Sequence, residues 1–209
     1  MAAIFVCGSR AADVTLFSDD FSNGLGQWTG KNGGAHSGVI VPDPLNTGRG
    51  GVLTFTALTG SGDIFTGSTI SSTQPVIIRF DYLGLAKPGS VSGNFGGALS
   101  IAYNGSLSGE PFDTLAASGN SSGFHLIDDG QWHAVQVSRT ASGPSRFWIE
   151  DWFGAGGVAG DVYFDNLQIT TTVPEPSIVA CGALGLACLW LYSYQSKRRT
   201  LVDSATLKL

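Results

Sequence analysis

Hydrophobic and polar residues alternate through most of this chain. In 75–83, Val76, Ile78, Phe80 and Tyr82 fall on one side and Arg79 and Asp81 on the other. That period of two is what a strand with one buried face requires. The alternation recurs through 51–57, 98–103, 132–139, 146–153 and 161–170. Turn chemistry separates these segments: Asn32-Gly33-Gly34, Lys87-Pro88-Gly89, Asn104-Gly105, Asp128-Asp129-Gly130, Ser142-Gly143-Pro144 and a glycine-rich stretch over 154–160. No segment before Pro174 keeps helical spacing. The pattern predicts an all-β domain over 13–172, an antiparallel jelly-roll β-sandwich of eight to ten strands.

Near residue 178 the pattern changes. From 178 to 194 the chain is apolar and uncharged. At about 1.5 Å per residue, a helix of that length reaches roughly 26 Å, near the lower limit for crossing a bilayer. Gly182, Ala183, Gly185 and Ala187 sit among Leu, Val and Ile with no polar face, which a helix packed on a core would show. One C-terminal transmembrane helix is therefore predicted. Lys197, Arg198 and Arg199 follow it, in a basic tail over 195–209, and mark the cytoplasmic side. The domain ahead of the helix is expected outside. Residues 1–12 carry a short apolar run and small residues but no basic start. They read as a partial signal peptide whose true start lies upstream of Met1.

Charge and cysteine usage fit this division. The net charge is −5, and between 13 and 172 fourteen acidic residues face six basic ones. Such a surface repels the phosphates of DNA and RNA, so no nucleic-acid partner is expected; it suits neutral polysaccharide or divalent cations. Cys7, Cys181 and Cys188 all lie outside 13–172. The domain must be held by its own core rather than by disulfides, and a zinc–thiolate site is excluded from it.

The C-terminal segment resembles the PEP-CTERM sorting signal of Gram-negative bacteria that make exopolysaccharide. The likeness rests on Pro174, Glu175 and Pro176 within 173–177, the adjoining apolar run, and Lys197, Arg198 and Arg199. It implies processing by an exosortase-type membrane protease, with the precursor anchored in the inner membrane and the product at the cell surface or in the extracellular matrix. The chain departs from the pattern by continuing ten residues past the basic cluster, over 200–209. A second likeness covers 19–170. The opening Asp19-Asp20-Phe21-Ser22-Asn23-Gly24 through Trp28, the segment Asp129-Gly130-Gln131-Trp132-His133 and the closing Tyr163-Phe164-Asp165-Asn166-Leu167 are similar to galactose-binding-like jelly rolls. That group includes many carbohydrate-binding modules and the laminin B-type domain. In it, acidic residues on the first and last strands often hold a structural calcium. The likeness thus makes Asp20 and Asp165 the calcium candidates, with Asp19 behind them.

For ligand contact the aromatic run 147–153 stands out. With period two, Trp148, Glu150 and Trp152 share one face, and Phe147, Ile149, Asp151 and Phe153 share the other. If the second set faces the core, the first presents two indoles flanking a carboxylate, an arrangement suited to a polysaccharide chain. The competing reading makes Trp148 and Trp152 plain core residues. Catalysis finds little support. Glu150 and Asp151 are adjacent, so on a strand they point to opposite faces and cannot flank one glycosidic bond. His36, His125 and His133 show no metal-ligand spacing. The expected function is a non-catalytic, surface-sorted domain that binds polysaccharide. The alternatives are a structural component of the matrix without a small ligand and a polysaccharide-acting enzyme.

Overall fold

The computed structural model describes residues 12–60, 63–119, 123–140, 143–152, 154 and 157–173. Among them are twelve strands: β1 (Ala12–Asp19), β2 (Trp28–Thr29), β3 (Gly38–Pro42), β4 (Gly51–Phe55), β5 (Ile64–Thr66), β6 (Val76–Gly84), β7 (Gly97–Tyr103), β8 (Phe112–Ala117), β9 (Phe124–His125), β10 (His133–Arg139), β11 (Ser145–Asp151) and β12 (Val162–Val173). They form two six-stranded sheets. Sheet A runs β10-β6-β12-β4-β3, with β1 also on β12; sheet B runs β2-β5-β11-β7-β8-β9. Asp13–Thr172 makes one compact unit.

The alternation seen in the sequence becomes the core. On β6, Val76, Ile78, Phe80 and Tyr82 are buried against sheet B, where Phe147 and Ile149 of β11 meet them in one cluster. Each large apolar side chain so buried contributes about 1.5–3 kcal/mol. Phe164 of β12 lies at the centre, 6.3 Å from Phe55, 6.0 Å from Phe80 and 5.3 Å from Tyr82. Trp28 is also core; its ring packs 5.4 Å from Phe17. Its Nε1 donates to Asp19 at 2.7 Å, and the other Asp19 oxygen accepts the Phe21 amide at 2.7 Å.

Two departures from the expectation stand out. One lies in the pairing: β9 runs parallel to β8, with Phe124 beside Ala116 and His125 beside Ala117, and Thr59 makes an isolated parallel bridge to Trp152. A two-residue strand is too short for alternation to reveal. The last strand also carries a bulge: Asp165 pairs Asp81, but Gln168 pairs Arg79, so β12 holds one extra residue. Asn166 in the bulge takes φ 51°, a left-handed conformation that Asn tolerates better than most residues. Among the described residues no helix is long and apolar enough to cross a membrane. The predicted span 178–194, all but the last residue of the predicted leader 1–12, Pro174, Glu175 and Pro176, and Lys197, Arg198 and Arg199 lie outside the described residues.

Candidate functional site

Strand β11 carries the aromatic run. Phe147 and Ile149 point into the inter-sheet core, while Trp148 lies on the outer face of sheet B against Phe65, Ala102 and Leu107. It is 1 % exposed, because the loop 104–111 folds over it. A Cβ on Gly109, at φ 83°, would come within 3.1 Å of the indole ring. Phe65 and Phe112 pack 5.3 and 5.1 Å from that ring. Its Nε1 finds no hydrogen-bond partner. Glu150 is buried too. Trp152 remains open at 39 % exposure, with Phe112 at 43 %. Of Trp148, Glu150 and Trp152, expected together on one open face, Trp152 alone is open to solvent. Trp148 and Glu150 share the outer face but are covered, since a tryptophan on a sheet face buries so much apolar area that a neighbouring loop gains by closing over it.

The β12 bulge builds a second region. Asp165 stands directly opposite Asp81 in register, and two like charges so placed repel. Arg49, from the loop between β3 and β4, reaches both: its Nη1 donates to Asp81 at 2.5 Å and to Asp165 at 2.9 Å. Asn166 Nδ2 donates to Asp81 at 2.8 Å. The Arg49 guanidinium lies 4.3 Å over the Trp132 ring. The Trp132 Nε1 donates to Asp43 at 3.1 Å. Burial pushes the Asp43 carboxyl up, but hydrogen bonds from Thr47, Leu45 and Trp132 outweigh it and hold its pKa at about 2. Two polar clefts flank this network. One of about 540 Å³ is lined by Asp19, Asp20, Asn23, Gln27, Asn166 and Gln168. The other, about 500 Å³, lies beside Arg49 and shares Asp20 and Asn166 with it.

These residues do not fit a calcium ion. Calcium takes six to eight oxygens, yet the Asp165 carboxylate is occupied by Arg49. Asp20 is exposed and turned onto Ser22, accepting its amide at 3.0 Å and its hydroxyl at 2.6 Å. Asp19 is engaged by Phe21 and Trp28. Among the described residues no three His, Cys, Asp or Glu side chains gather to hold a metal. The guanidinium does the work of a cation at the β6–β12 pair.

Sequence reasoning missed a third group. Asp151, the last residue of β11, and Asp161, immediately before β12, are both fully buried. The pKa of Asp151 is pushed up to about 7, first by burial and then by Asp161 and Asp63, against the Gly160 amide that it accepts. Burial raises Asp161 likewise. The parity of β11 was a signal for Asp151, since it shares the inward face with Phe147 and Ile149.

With the geometry in place, comparison with known proteins adds the fold. No family model matches the chain, and no curated protein matches it. Solved carbohydrate-binding modules share its sandwich. The CBM22-1 xylan-binding domain from Paenibacillus barcinonensis is 16 % identical with a TM-score of 0.53, over 80 % of this chain and 99 % of that one. The tandem CBM22-1-CBM22-2 domain from the same organism gives 17 % and 0.51, over 82 % of this chain and 48 % of that one. At such identities the likeness establishes the architecture, an all-β sandwich of two sheets.

Proposed function

We propose that this chain is an exported protein whose sandwich binds polysaccharide without cleaving it. The observation that carries the reading is the outer face of sheet B, where Trp152 and Phe112 leave aromatic surface open to solvent on a fold similar to that of a xylan-binding domain. Sugar rings stack their C–H faces on aromatic planes, and a sheet face offers a flat platform for an extended chain. On this reading Pro174, Glu175 and Pro176 present the chain to an exosortase-type protease. The segment 178–194 holds the precursor in the inner membrane with Lys197, Arg198 and Arg199 inside, and the product reaches the cell surface or its matrix.

Retention of the purified protein on insoluble xylan and mannan tests the binding. Trp152→Ala and Phe112→Ala should each weaken retention about tenfold, a loss of roughly 1.4 kcal/mol; Trp152→Ala should leave the melting temperature unchanged, whereas Phe112→Ala also uncovers Trp148 and should lower it. No retention by the unaltered protein would favour a structural matrix role, and reducing-sugar release would make it an enzyme. Recovery of the intact chain from the cytosolic fraction would refute export.

A further inference from the structure

We propose that Asp151 and Asp161 together hold a divalent cation, calcium by the chemistry of the donors, at the junction of the β11 end and the β12 start. Each carboxylate is fully buried and spends only one oxygen on the protein. Asp151 Oδ2 accepts the Gly160 amide at 2.9 Å, and Asp161 Oδ2 accepts the Ser90 hydroxyl at 2.6 Å and the Val158 amide at 3.0 Å. The Oδ1 atom of each is buried with no hydrogen-bond partner. An unpartnered carboxylate oxygen in an interior is among the costliest groups a fold can carry, and here there are two.

Both carboxylates border one stretch of backbone. A Cβ on Gly96 would lie 3.3 Å from Asp151 Oδ1, and one on Gly157 would lie 3.0 Å from Asp161 Oδ2 and collide with the Phe95 carbonyl oxygen. The Thr59 hydroxyl and the Asn94 side-chain carbonyl are also buried without partners. Thr59 donates its amide to the Asp151 carbonyl at 3.1 Å, and Asn94 immediately precedes Phe95. Free carboxylate oxygens are hard donors, which select calcium over zinc.

The surrounding charges leave the need unmet. Asp63 and Lys87 act on Asp151, and Asp128 and Lys87 act on Asp161. Lys87 lies 5.6 Å over the Tyr163 ring and against Gly160, where its ammonium satisfies neither free oxygen. Asp128 is itself held by the Tyr82 hydroxyl at 2.5 Å and the Phe95 amide at 3.1 Å. The site shares no residue with the Asp81–Arg49–Asp165 network, and Asp151 directly precedes Trp152 of the aromatic face proposed for polysaccharide, pointing to the opposite side of the strand.

Native mass spectrometry and thermal melts of the chelator-stripped full chain, titrated with calcium chloride at pH 8, test the assignment. One ion per chain is expected, with a rise in melting temperature of several degrees at saturating calcium. Asp151→Asn and Asp161→Asn should each lose the ion, and Asp165→Asn should keep it. Terbium luminescence excited through tryptophan gives a second readout on the folded protein, since Trp152 adjoins Asp151. It should appear in the unaltered chain and be displaced by calcium. The absence of any bound ion, or an ion held with unchanged affinity in Asp151→Asn and Asp161→Asn, would overturn the proposal.

Discussion

Two places in this sandwich set one aspartate near another, and they meet the repulsion differently. At the half-open β6–β12 pair, Arg49 inserts a fixed positive charge between Asp81 and Asp165. At the buried β11–β12 junction no guanidinium arrives, and Asp151 and Asp161 each keep an unpartnered oxygen. The difference follows from access. A loop arginine can lie across an outer sheet face with its guanidinium over the Trp132 ring and its edge still wet. At the buried junction Lys87 rests over the Tyr163 ring and reaches neither free oxygen, so the carboxylates must take up a proton or a small ion.

Four measurements would break or sharpen this contrast. The largest effect is expected from pH at the buried junction, measured with chelator present. The folded pKa of Asp151, about 7, exceeds its unfolded value of 3.8. The folded chain therefore binds more protons between those values, and stability falls as pH rises through that window. The loss is on the order of 3–4 kcal/mol between pH 4 and pH 8, with Asp161 adding in the same direction. Urea unfolding of Asp151→Asn should show a much flatter profile over that range. An unchanged slope would mean that Asp151 ionises freely in the fold.

At the outer pair, Arg49→Ala strands two facing carboxylates and should cost about 2–3 kcal/mol. Adding Asp81→Asn should recover part of that loss, and a purely additive double variant would show that repulsion is not the cause. Trp132→Phe keeps a ring under Arg49 but deletes the hydrogen bond to Asp43, for about 1 kcal/mol by the same unfolding assay. The smallest effect is expected at Asp20, exposed and bonded only to Ser22. Asp20→Asn should leave the melting temperature within about one degree with or without calcium, as surface changes usually do. A calcium-dependent loss there would restore the first-strand site that the geometry argues against.

Comparing the outer faces of the two sheets shows why the candidate site was only half legible. The parity of β11 separates Phe147 and Ile149 from Trp148, Glu150 and Trp152 in the sequence alone. Parity names a face but not what covers it. Trp148 is buried by Gly109, Leu107 and Phe112, residues some forty positions earlier whose loop carries no alternation of its own. Arg49 is 32 positions from Asp81 and 116 from Asp165, and nothing local to any of the three marks the meeting.

What the sequence determined by itself was the class of fold and the inward face of each longer strand, because side chains alternate across a sheet and burial selects one side. The tertiary structure alone decided which outward residues stay wet, which carboxylates acquire a counter-charge and which are left without one. Those outcomes depend on where distant loops and strand ends come to lie, and a single chain's local pattern carries no record of distance through space.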